Sequence, residues 1–435
     1  MISCLLITVI CSLFVFSLLT RRHDVKQALF NVLRHRRRTA MTLAAIVIGG
    51  ASLFIFGGFF NYNLWSYREV TIRGDLGHIQ LYRKGYLGSG VSSPLKYGIS
   101  DYKKVASLLR RDDEIGNHIK AIVGQIGFSG ILSNYEKGTS SNFIGLGIEP
   151  ASSVSLGFLD TVTLGSDLSD FDKGGVVIGT GLLHALKSDY DDHNDVLVIN
   201  KHGGQDAMSV RIRGVFQSGL KLRDDATMKM PLKTAQRLLG TEDVSKVTIL
   251  LDDTNMTDIV ADRVKKIIRQ NGLDLEMNTW PEEAVMYKQI VTNYNGIFFF
   301  IKVVMAIIVA FFIANTLMIN VVERTREIGM IRAMGATRAT VWNLLFLEGF
   351  CMGLIGGLLS IGTGWIIAVL VNIHGIPMPP APGQTLGYTA FIRMEGAMDI
   401  VWFTFSLSMI TSFFASILPA FKASQMIVVD ALRHV

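Results

Sequence analysis

VVERTREIGMIRAMGATRATVWNLLFLEGFCMGLIGGLLSIGTG, residues 321–364, sets the architecture of the chain. Its first half is short, charged and amphipathic, and its second half is a long apolar run with small residues at regular spacing. Ile328, Ile331 and Met334 recur three residues apart, with Met330 beside them, which puts an apolar stripe on one helix face. Glu323, Arg324, Arg326, Glu327 and Arg332 supply the polar remainder. Gly335 is expected to end this helix, because glycine accepts the left-handed conformation just past a helix C-terminus. A short helix of this kind between two apolar spans belongs at the membrane surface.

On either side of it lie runs long enough to cross a bilayer. The spans are expected at 39–61, 297–322, 341–373 and 400–421, with the short helix at 323–338. In the third span Gly349, Gly353 and Gly357 form one ladder of small residues, and Gly356, Ser360 and Gly364 form a second. Such ladders bring helix backbones together, either within the subunit or against a second copy. Lys302, near the outer end of the second span, is placed to snorkel to the interface. Glu348, just inside the third span, is an acid in an apolar setting, suited to capping or to pairing with a basic neighbour.

The basic residues report orientation. Arg21, Arg22, Lys26, Arg34, Arg36, Arg37 and Arg38 form a basic amphipathic helix at 21–38, and Arg324–Arg338 is the second basic run. Both are held in the cytoplasm by the positive-inside rule, as is the tail at 422–435. The loop at 374–399 holds one arginine, Arg393, and Pro377, Pro379, Pro380 and Pro382, so it is read as an irregular external loop. Residues 1–20 are an additional hydrophobic segment. It reads as an extra helix with its N-terminus outside, a membrane-surface helix or a misassigned start, and poorly as a secretory signal.

The 62–290 stretch is one large soluble insertion outside the cytoplasm. GHIQLYRKG, IKAIVGQIGFSGIL, NFIGLGIEP, GGVVIGTGLL, DVLVINK, MSVRIRGVFQ and KVTILLDD read as strands. DYKKVASLLRRD, LKTAQRLLG and MTDIVADRVKKIIRQNG read as amphipathic helices. The fold class is therefore a membrane protein: an α-helical four-span transmembrane domain with a large α+β domain of two subdomains.

Composition agrees. The 435 residues are 49% hydrophobic and the mean hydropathy is +0.37, too apolar for an ordinary soluble chain and too polar for an all-membrane one. The net charge of +6 sits largely beside the apolar runs, so no nucleic-acid partner is implied. Cys4, Cys11 and Cys351 all lie in apolar stretches, leaving none for a disulfide in the soluble domain. No P-loop, H-E-x-x-H, G-x-S-x-G or C-x-x-C occurs, so no catalytic or metal residue is assigned and no cofactor is expected in this chain. Asp189, Asp191, His193 and Asp195 alternate, but without the glycine and distal glutamate of a calcium loop they read as a solvated turn.

ERTREIGMIRAMGATRATVWNLLFLEG resembles the core signature of the FtsX/MacB/LolC superfamily of ABC-transporter permeases, and LPAFKASQMIVVDALRHV resembles the family ending, with Val428 where a proline is common. The resemblance implies that 323–338 is the coupling helix, with Glu323, Arg324, Arg326, Glu327, Ile328, Ile331, Arg332, Met334 and Gly335 at the contact with a cytoplasmic ABC ATPase. That ATPase would bind ATP and Mg. The resemblance likewise implies a MacB-like periplasmic domain with an inserted subdomain at roughly Asn142–Ser218, and a second permease copy or homologue. A periplasmic adaptor or lipoprotein partner and membrane lipids complete the set. It implies an inner-membrane, non-enzymatic subunit that turns ATP hydrolysis into periplasmic movement to export or extract a lipoprotein, lipid, peptide or hydrophobic compound. The family also contains regulators of cell-wall hydrolases that move nothing, and that class is the alternative.

Overall fold

The computed structural model describes residues 30, 36–90, 94–151, 160–169, 174–380, 385–394 and 397–426. The segment at 1–20, most of the basic helix at 21–38 and the end of the tail lie outside the described residues. The chain divides into two units.

The first unit is helical and comprises the chain up to Leu64, Thr292–Ile376 and the chain from Thr389. Among the described residues four helices are long and apolar enough to cross a membrane: Thr39–Gly74, Val285–Glu323, Arg338–His374 and Met398–Ser424. We label them α1 (Arg36–Thr71), α7 (Val285–Glu323), α9 (Arg338–His374) and α10 (Ala397–Ser424); α8 is the short helix Thr325–Ala333. The first and second spans run well past the 39–61 and 297–322 read from hydropathy, because α1 and α7 continue as helix beyond their apolar stretches.

Small residues decide how the bundle closes. A methyl group on Gly349 would sit 2.6 Å from Ser416 Cβ, and one on Gly353 2.5 Å from Ser412 Cβ. One on Gly357 would sit 3.3 Å from Ser408 Cβ, so α9 meets α10 along an antiparallel glycine–serine seam. The second ladder meets α1 in parallel. A methyl on Gly356 would lie 2.5 Å from Ile46 and one on Gly364 2.9 Å from Phe54, while Ser360 Oγ donates to the Ile46 carbonyl at 3.1 Å. Both ladders are therefore filled within the chain, and the expectation that this face meets a second permease is corrected: these six residues have no surface left for one. Against α7, α1 offers Gly49, where a methyl would lie 2.9 Å from Val309, and Thr42, whose hydroxyl reaches Thr316 at 2.6 Å. The Lys302 ammonium lies over the rings of Phe298 and Phe403 at 4.0 and 4.1 Å. Its charge is thus met by the negative faces of two rings.

The second unit, Trp65–Val291 with Pro377–Tyr388, is the α/β domain. Its strands are β1 (Ile79–Arg83), β2 (Ile119–Asn134), β3 (Thr139–Ile148), β4 (Thr161–Gly165), β5 (Gly175–Gly179), β6 (His193–Ile199), β7 (Gln205–Gln217), β8 (Thr227–Pro231), β9 (Lys246–Leu251) and β10 (Leu275–Thr279). They form one mixed sheet in the order β10-β1-β9-β2-β3-β8-β5-β7-β4, with β6 on β2 and β7. Its helices are α2 (Tyr102–Arg110), α3 (Thr180–Leu186), α4 (Lys221–Ala226), α5 (Leu232–Leu239) and α6 (Thr257–Gln270). The apolar periodicity of the helices is realised as burial: Val105 and Leu109 in α2, Leu232, Ala235, Leu238 and Leu239 in α5, and Val260, Val264 and Ile267 in α6. Val176, Val177 and Ile178 of β5 are wholly buried, as expected of a central strand.

The expected boundary of an inserted subdomain at Asn142 falls inside β3, which pairs with β2 over ten positions from Asn134↔Thr139 to Gln125↔Ile148. A cut there would leave a row of backbone groups unpaired. The two halves of this domain therefore share one sheet. In the loop at 374–399, two three-residue strands, β11 (Ile376–Met378) and β12 (Tyr388–Ala390), stand where an irregular chain was expected.

Candidate functional site

The short helix α8 is built by its ends. Thr325 turns its hydroxyl back on the Val321 and Val322 carbonyls at 3.0 and 2.8 Å, satisfying groups left open where α7 stops. Arg324 sits in the break between the helices, with φ −96 and ψ 12. At the other end the Gly335 amide donates to Arg332 at 3.1 Å and the Ala336 amide to Ile331 at 3.2 Å, with Gly335 at φ +103. That is the paired closure a left-handed glycine permits. Thr337 then starts α9, its hydroxyl accepting from the Thr340 amide at 3.2 Å.

Three side chains seat α8. Ile328 is buried among Val321, Val341, Leu345, Ala420 and Ala423, a burial worth about 1.5–3 kcal/mol. Arg324 donates from Nη1 to Glu348 Oε1 at 2.8 Å and from Nε to Glu327 Oε2 at 3.0 Å. Both ends of its pair with Glu348 are withdrawn from solvent, the side chains 11% and 3% exposed. Arg332 Nη1 donates to the Met426 carbonyl just past the end of α10, where a cation also suits the helix dipole. Glu348, read from sequence as suited to capping or to pairing with a basic neighbour, thus has its partner in Arg324, at the break that precedes the short helix.

The apolar stripe is divided by this seating. Ile328 goes wholly to the base; Ile331 lines a shallow groove of about 60 Å³ with Arg324, Ile328, Thr340, Val341, Leu344 and Leu345. Met334, the last residue of the apolar stripe, is 80% exposed and caps the helix, which ends at Ala333. Met330 is 45% exposed, and Arg326, Ala333 and Glu323 face solvent with it. The observed helix is also shorter than 323–338, Glu323 being the last residue of α7. What α8 leaves exposed is therefore a face of Arg326, Met330 and Met334, four residues apart; Arg326 and Met334 are among the residues that the resemblance implies for the ATPase contact, and Met330 joins them. Methionine suits such a face, since its flexible thioether adapts to an irregular groove.

In the α/β domain, the alternating acids lie at a turn. Asp189 pairs with Lys137 at 2.8 Å and Asp191 with Arg211, which holds the Asp191 carboxyl below the usual carboxylate range. Among the described residues no group of three His, Cys, Asp or Glu is arranged to hold a metal ion. A charged cluster that sequence reasoning missed joins Asp160 to Lys229 and, at 3.0 Å, to Arg223. Burial pushes the Lys229 ammonium down, while Asp160 acts in the opposite sense.

Two family models match the chain. Residues 39–267 match the family model of the MacB-like periplasmic core domain, and residues 299–427 that of the FtsX-like permease C-terminal region. The uncharacterized ABC transporter permease YknZ of Bacillus subtilis is 23% identical over 425 residues, covering 94% of this chain and 98% of that one. The macrolide export ATP-binding/permease protein MacB of Salmonella paratyphi A is 24% identical over 208 residues, 47% of this chain and 30% of that protein. Among solved structures, the extracellular domain of the noncanonic ABC-type transporter YknZ from Gram-positive bacteria aligns with 47% of this chain and 100% of its own, at 16% identity and a TM-score of 0.34.

Proposed function

The chain belongs to the FtsX-like permeases with a MacB-like periplasmic core domain, and from that premise we propose that it couples ATP hydrolysis in a separate ATPase to movement of its α/β domain. ATP and Mg are bound by that ATPase, and this chain performs no catalysis of its own. The permease works in the inner membrane beside a second copy or a homologue, with the α/β domain in the periplasm. Its cargo is a lipoprotein, lipid, peptide or hydrophobic compound, met with or without a periplasmic adaptor. The named relatives are permeases and an exporter, which favours transport over control of a cell-wall hydrolase.

The observation that carries this reading is the division of α8. Ile328, Arg324 and Arg332 hold it to the bundle, while Arg326, Met330 and Met334 are left outward as a compact face. A helix that only fixed topology would need no seat of this kind. The test is affinity purification of the intact chain followed by identification of the ATPase that comes with it. Met330→Asp with Met334→Asp should remove that ATPase, since each carboxylate would have to be stripped of water at the contact. Retention of the ATPase at the wild-type ratio would sink the proposal.

A further inference from the structure

We propose that Glu348 is the positioning residue that makes α8 and the start of α9 one moving body, so that displacement of α8 is delivered to the third span. The inference rests on the ATPase-docking reading above and adds the joint through which it acts.

The geometry is one-sided. Glu348 is buried in the first third of α9, and a carboxylate there is tolerable only with a compensating charge. The Arg324 guanidinium supplies it at 2.8 Å from the break between α7 and α8, and the same guanidinium holds Glu327 on α8 at 3.0 Å. One planar fork therefore ties a carboxylate of α8 to a carboxylate of α9. If α8 moved without α9, the buried Glu348 carboxylate would lose the Arg324 guanidinium. The polar contact with α10 is of another kind: beside the packing of Ile328 on Ala420 and Ala423, Arg332 meets a neutral backbone carbonyl at Met426, which water can replace. The ionic joint to α9 is the one that persists.

The test uses the full chain with its co-purified ATPase and follows hydrogen exchange at 325–333 and at 341–350, with and without ATP and vanadate. In the wild type both segments should change protection on nucleotide trapping. In Glu348→Gln the ATPase should still co-purify and α8 should still respond, but the response at 341–350 should be lost. Resting exchange of α8 should rise about tenfold or more, as an opened local contact allows. The exchanged pair, Arg324→Glu with Glu348→Arg, should restore the response at 341–350, which a residue needed only for folding would not predict. Should Glu348→Gln leave the 341–350 response at the wild-type size, the joint lies elsewhere and the proposal is overturned. A wild-type α8 that ignores nucleotide would instead refute the docking reading, and this inference with it.

Discussion

Gly353 and Ser412 face each other so closely that a methyl group on the glycine would lie 2.5 Å from the serine Cβ. The contact sits at the middle of the α9–α10 seam, and no side chain beyond hydrogen fits it. Gly353→Leu should therefore destabilise the bundle by about 1–3 kcal/mol, read as a lower melting temperature in detergent. Gly362 lies on the same helix with nothing within 4 Å of the position a methyl would take. Gly362→Ala should leave stability unchanged or raise it by up to about 1 kcal/mol, the helix preference of alanine over glycine. Equal effects of the two substitutions would refute the seam.

The α/β domain should weaken in mild acid through His78. The ring is buried, Nδ1 accepts from the Leu251 amide at 3.0 Å, and Nε2 lies 3.1 Å from Thr254 Oγ1. Burial lowers its pKa from 6.5 to about 4. The unfolded chain then takes up the proton first, so stability is full above pH 6.5 and falls as pH drops towards 4. The loss approaches roughly 3 kcal/mol at the low end. His78→Gln should flatten that fall. Trp280, whose amide donates to the His78 carbonyl at 2.9 Å, is a local fluorescence reporter of the unfolding. Identical pH profiles for the two proteins would contradict this account.

Asp160 is the shared acceptor of Lys229 and Arg223, and its removal should cost more than removal of either cation. Asp160→Ala takes the carboxylate partner away from a buried ammonium, a change of about 3–5 kcal/mol. Lys229→Met leaves the carboxylate still paired to Arg223 and should cost clearly less. Chemical denaturation of the intact chain, followed by the signal of the α/β domain, ranks the two; the reverse order would show that Lys229 is held by something other than Asp160.

Orientation can be read with an impermeant thiol reagent on spheroplasts. In a background without Cys4, Cys11 and Cys351, Ala207→Cys, on the exposed side of β7, should label from outside. Thr337→Cys, in the turn between α8 and α9, should label only after lysis. Labelling of Thr337→Cys in intact spheroplasts would invert the topology and remove the basis of the ATPase proposal.

The parts legible in the sequence are those that local pattern controls. Apolar length gave the four spans, a three-residue apolar recurrence gave α8, and Gly335 announced its end, which the chain makes at φ +103. The parts not legible depend on what a segment meets. Ser408, Ser412 and Ser416 repeat every fourth residue and were readable as the complement of the Gly349 ladder, but the pairing needs a register between two helices. Glu348 and Arg324 are separated by a whole helix and a turn, so their union is tertiary. The missed strands β4 and β10 are edges, and β8 carries MKM in place of β-branched residues, so neither alternation nor composition marked them.

The glycine–serine seam also limits how the third and fourth spans can travel past each other. A slide of one residue turns the facing side chains by about 100°, and the next register that seats small against small is four residues on, about 6 Å away. The seam therefore behaves as a detent with widely spaced stops. A smaller stroke carries α9 and α10 together, and the slip has to be taken up elsewhere.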